Sequence, residues 1–177
     1  MEEKQIQEIV SHVIARMAGE RDDAPAAGIP ARAAAGRAEV TLKGAVWLIQ
    51  EIEQEALRMG VKAVVAVTNR GARPVAVHCM DDSYIASYEI ALGKAYTSAA
   101  LKMATADLKK LAQPGGELYG IQHTNEGKIV IFGGGVPITR DGAVIGGLGI
   151  SGGSEAQDTA LAQYGEKRMK EAADLWQ

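Results

Sequence analysis

Cysteine is almost missing from this chain. Cys79 is the only one, so no internal disulfide can form, and the stapled framework of small secreted domains is excluded in favour of a reducing compartment. There is no basic excess either: 19 Lys and Arg against 22 Asp and Glu leave a net charge of -3, which argues against a nucleic-acid partner. No apolar run is long enough for a signal peptide or a membrane span, and the expectation is a soluble, intracellular protein with no membrane partner. The familiar catalytic signatures are also lacking: no nucleophile elbow with a Ser-His-Asp order, no H-E-x-x-H, no C-x-x-C and no P-loop. Asp81, Asp82 and Glu89 could act as acids or bases, but paired carboxylates at a helix start commonly serve as caps, and no catalytic residue is assigned.

Glycine is plentiful, and it is concentrated in Lys128 to Ser154, KIVIFGGGVPITRDGAVIGGLGISGGS. Val130 to Phe132 and Val136 to Thr139 read as two strands. Asp141-Gly142 reads as a tight hairpin, because both central residues tolerate positive φ, and Ala143 to Ile150 as the returning strand. Glycines 146, 147 and 149 leave little side chain on that strand, so another backbone or the flat face of a ligand must pack closely there. Ser154 is placed to cap a closing helix from Glu155 to Leu175. Gly147 to Gly152 fits the dinucleotide pattern G-x-G-x-x-G, but a Rossmann unit needs a further parallel strand and an acidic residue about 20 positions on, so the match is expected to be accidental. What remains is a helix start whose backbone N–H groups at Gly152, Gly153 and Ser154 suit a phosphate or carboxylate.

At 177 residues and 47% hydrophobic content the chain can bury one ordinary core and carry an appendage. Residues 1–18 supply the appendage: Ile6, Ile9, Val10, Val13, Ile14 and Met17 form one apolar stripe of an amphipathic helix. Residues 19–38 are Ala/Gly/Pro-rich without periodicity and read as a linker, which favours a docking helix over one that folds back. The domain proper runs from 39 to 177. Thr41 caps a first helix ending at Gly60; Lys62 to Thr68 and Pro74 to Met80 form a hairpin; Asp81-Asp82-Ser83 caps a helix whose apolar face includes Tyr84, Ile85, Tyr88 and Ala99; Thr105 to Leu111 is a short continuation. This order predicts an α+β fold, a mostly antiparallel sheet of about five strands covered by helices as an α/β sandwich, beside the separate N-terminal helix.

Three ordered runs, VAVTNRGARPVAVHCMDD, IALGKAYTSAA and the FGGGVPITRDGAVIGGLGISGGS module, closely resemble the GlcG/HbpS family, the haem-degrading domains also found at the C-terminus of PduO-type proteins. The resemblance covers Glu39 to Trp176. It implies an α/β sandwich that forms homo-oligomers and, in several members, binds haem. The adenosyltransferase domain of PduO-type proteins has no counterpart here, so cobalamin adenosylation is not implied. Residues 1–18 with their linker resemble an encapsulation peptide, which implies a bacterial microcompartment shell or core protein as partner. Iron in haem is usually held by His, Cys, Met or Tyr. His78-Cys79-Met80 offers three of these, and strand alternation points His78 and Met80 to one face and Cys79 to the other. His78 is the first candidate for the metal ligand, with His123 and Met80 behind it. Lys94 is a cation available to a propionate, and Gly152, Gly153 and Ser154 are backbone donors. The function expected is a haem-binding accessory protein. The alternatives are an enzyme or redox partner acting on a corrinoid or flavin, and a structural oligomer whose glycines serve packing alone.

Overall fold

The computed structural model describes residues 38–172 and Trp176. The predicted N-terminal helix 1–18 and the linker, except Ala38, lie outside the described residues. Within them the chain runs α1 (Leu42–Arg58), β1 (Val64–Asn69), β2 (Pro74–Cys79), α2 (Ser87–Leu101), α3 (Thr105–Leu111), two single 3₁₀ turns, β3 (Gly135–Arg140), β4 (Ala143–Ser151) and α4 (Glu155–Glu171). The four strands form one antiparallel sheet in the order β2-β1-β4-β3.

Alternation along the strands divides the core. Val65, Val67, Leu148 and Ile150 face one side, where they meet Leu48, Ile49 and Ile52 of α1 and Leu161 of α4, all buried. Each such Leu or Ile contributes about 1.5–3 kcal/mol on leaving water. Val64 and Ala66 face the other side and pack on Ala91 and Ala95 of α2. Gly147 and Gly149 of β4 belong to that second face: a Cβ on Gly147 would lie 2.2 Å from the Ala95 carbonyl oxygen, and one on Gly149 would lie 2.1 Å from that of Ala91, whereas one on Gly146 would meet the Thr68 carbonyl oxygen at 2.1 Å. The close neighbour expected at this strand is therefore the backbone of α2. The Asp141-Gly142 turn has φ of 49° and 76°, the twist that a two-residue hairpin requires. Thr41 caps α1 through its side chain, and Ser154 caps α4 in a full capping box with Gln157.

Two sequence expectations are corrected. The sheet has four strands, because Val130 to Phe132 does not join it: the Val130 N–H donates to Thr97 Oγ1 at 2.9 Å and the next glycine, Gly133, donates to Glu155 Oε1 at 2.9 Å, so side chains take the donors that a ladder would use. The second helix starts at Ser87 rather than at an Asp81-Asp82-Ser83 cap, with no side-chain cap at Ala86. Tyr84 and Ile85 consequently precede it and stand exposed, at 73% and 96%.

Candidate functional site

The residues nominated from the sequence fall in three separate places. His78 sits near the end of β2, an edge strand, on the face covered by α1. Its Nδ1 lies 2.9 Å from Glu53 Oε1 on that helix, and its side chain is 36% exposed. That arrangement fixes the ring through Nδ1 and leaves Nε2 without a hydrogen bond among the described residues. Met80, two residues on, is partly buried, and its Sδ accepts from the Ala63 N–H at 3.3 Å. Cys79 is exposed.

Lys94 is elsewhere and wholly buried. Its Nζ donates to the Ile150 carbonyl at 2.7 Å and to Asp158 Oδ2 at 2.8 Å, and lies 4.8 Å from the centroid of Phe132. Burial pulls the ammonium below the ordinary lysine range, against the pull of Asp158. The glycine run before β3 makes room for it, since a Cβ on Gly134 would lie 2.7 Å from Nζ. Asp158 also accepts from the Gly153 N–H at 2.9 Å, and the Ser154 N–H donates to Gln157 Oε1 at 2.9 Å. These two donors of the glycine-rich helix start are thus already engaged inside the protein. Lys94, Gly153 and Ser154 are brought together around the first turn of α4, with Gly152 just before them, and none of them is brought to His78. His123 is exposed in a 3₁₀ turn, with Nε2 3.3 Å from Gln122 Nε2.

The third place is a cleft of about 670 Å³ on the α2 face of the sheet, between the β1–β2 hairpin and α2. Arg73 and Pro74 line one wall, Glu89, Leu92 and Tyr96 another. Asn125 Nδ2 donates to the Tyr96 hydroxyl at 3.0 Å and ties the loop that carries His123 to this rim. Sequence reading missed Glu53, Asp158 and the cleft, because each depends on residues far apart in the chain. The one available signal was Lys94 itself, a lysine set among small residues, whose burial demands a carboxylate.

The comparisons with known proteins agree with the fold. The family model described as haem-degrading protein HbpS-like matches residues 40–167. A Citrobacter freundii protein known only as an uncharacterised 15.0 kDa protein of the dhaT-dhaS intergenic region is 42% identical over 126 residues, covering 71% of this chain and 89% of that one. The corrinoid adenosyltransferase PduO of Salmonella typhimurium is 43% identical over 110 residues, 62% of this chain and 33% of PduO, so the likeness spans about a third of that enzyme. Among solved structures, a PduOC–haem complex superposes with a TM-score of 0.66 at 40% identity, covering 68% of this chain and 87% of that one.

Proposed function

The chain belongs to the haem-degrading HbpS-like family, and we propose that it is a haem-binding accessory protein, with His78 as the axial ligand, carried as cargo of a bacterial microcompartment. The observation that carries the haem reading is the His78–Glu53 pair. A carboxylate on one ring nitrogen sets the tautomer and the orientation of the ring and leaves the other nitrogen to face a metal, the usual support of a metal-binding imidazole. The donor set suits haem in particular. Among the described residues no group of three or more His, Cys, Asp and Glu side chains is gathered to hold a bare metal ion. An iron already held by a porphyrin needs only one or two ligands from the protein. When bound, haem would supply a redox-active iron; this chain's residues hold and orient it. Met80, which shares the face of His78, is the candidate for a second ligand, and His123, on the loop beside Tyr96, is an alternative site rather than a partner of His78. The PduOC–haem complex supports the same reading.

Tyr84, Ile85 and Phe132 form exposed apolar surface, and this supports a homo-oligomer in which a second copy covers it. Among the described residues no helix is long and apolar enough to cross a membrane. The cargo reading rests on the amphipathic stripe of residues 1–18.

Hemin titration followed at the Soret band tests the site. His78→Ala should abolish or shift the band, and Glu53→Gln, which keeps the shape but removes the charge, should weaken binding about tenfold or more. An unchanged spectrum and affinity in His78→Ala would remove His78 from the site.

A further inference from the structure

The cleft on the α2 face has no part in the His78 site, which lies on the opposite face of the sheet, and none of its lining residues is His, Cys or Met. Its volume, about 670 Å³, falls within the range of about 300–1,000 Å³ typical of small-molecule sites. Its body is apolar, formed by Pro74, Leu92 and Val130 with the Tyr96 ring beside them; Gly93 lets the Val130 segment pack close on α2, since a Cβ there would lie 2.7 Å from Val130 Cγ2.

Four charged side chains line it. Lys128 and Glu126 are paired with each other. Arg73 on the hairpin and Glu89 on α2 are not: neither side chain makes an ion pair or hydrogen bond among the described residues. Two uncommitted groups of opposite sign, on different walls of one apolar cleft, describe a ligand with two different ends. The backbone around them is held in an uncommon state, with Ala72 at φ 55° on the hairpin side and Asn125 and Glu126 at φ 51° and 59° on the loop side. Left-handed residues other than glycine persist where the surrounding structure enforces them, and they gather at ligand-binding edges.

We propose that this cleft is a second ligand site, for a flat, partly aromatic molecule bearing a carboxylate at one end and a hydrogen-bond donor at the other. The carboxylate meets the planar fork of the Arg73 guanidinium. The donor, a hydroxyl or amine, meets Glu89, and the ring lies on Leu92 and Val130.

Isothermal titration calorimetry on the full chain tests this with three probes: 6-hydroxy-2-naphthoate, 2-naphthoate without the hydroxyl, and 2-naphthol without the carboxylate. The two-ended probe should bind about tenfold more tightly than 2-naphthol and measurably more tightly than 2-naphthoate. Arg73→Ala should erase the advantage of the carboxylate, and Glu89→Ala the advantage of the hydroxyl, each leaving the other intact. Both positions are exposed, so the variants should keep the fold. Absence of binding by 6-hydroxy-2-naphthoate at millimolar concentration overturns the site. Equal affinity for all three probes, or advantages that survive in both variants, overturns the assigned chemistry. Loss of haem binding in His78→Ala would leave this outcome untouched, because His78 does not line the cleft.

Discussion

Lys94 and Asp158 form an ion pair inside the domain. An ammonium and a carboxylate at 2.8 Å, with side-chain exposures of 0% and 4%, have both given up water. Such a pair is weak evidence of net stabilisation, because desolvation offsets the attraction, yet breaking it is costly because one charge is left buried alone. Lys94→Met should therefore destabilise the domain by about 3–5 kcal/mol in chemical denaturation. The double variant Lys94→Met/Asp158→Leu should be less damaged than Lys94→Met alone, although it also gives up the acceptor for the Gly153 N–H. A single variant within about 1 kcal/mol of wild type would show that water reaches Asp158 and that the pair is not structural. Beyond the setting of Lys94 among small residues, this was not legible in the sequence: Lys94 read as a cation for a propionate, and its partner lies 64 residues away. Alternation did reveal that His78 and Met80 share a face, but Glu53 appears as the orienting carboxylate only once α1 is laid across β2.

At the scale of elements, the contact of α2 with the glycines of β4 sets how closely the two layers approach. On Gly149 a Cβ would meet two backbone atoms, the Ala91 oxygen at 2.1 Å and the Ala95 nitrogen at 2.4 Å, neither of which can rotate away. Gly149→Ala should thus force the helix outward and cost at least about 1–3 kcal/mol, the usual range for overpacking. Gly71→Ala is the matched control: its nearest atom is Asn69 Oδ1 at 3.4 Å, so its stability should change by less than about 0.5 kcal/mol. Equal melting temperatures for the two variants would mean that α2 can ride outward freely. The elements with local signals were legible almost to the residue: the Thr41 and Ser154 caps, the Asp141-Gly142 hairpin, and α3 over Thr105–Leu111. The failures came where tertiary partners overrode local preference. Val130 to Phe132 has the composition of a strand but gives its N–H at Val130 to Thr97. Tyr84 and Ile85 continue the apolar pattern of α2 but lie before its first turn. Their exposure is the price of a pattern extended toward surface rather than core.

For the whole molecule, the question is whether the domain needs the residues that precede it. Both faces of the sheet are already covered within the described residues, one by α1 and α4 and the other by α2. The six apolar positions of residues 1–18 are read from the sequence as the stripe of a short helix, which would need a partner surface to be stable in water. Our reading supplies one in trans, a microcompartment protein. On this reading, deleting residues 1–18 should lower the melting temperature of the domain by no more than a degree or two, since the stripe would bury its area against that partner. Joined to a fluorescent reporter, the same residues should concentrate it in microcompartments, and replacing Ile9, Val13 and Met17 by charged residues should abolish this by breaking the stripe at three successive turns. A drop of many degrees on truncation would show instead that the helix packs in cis, and the cargo reading would fail with it.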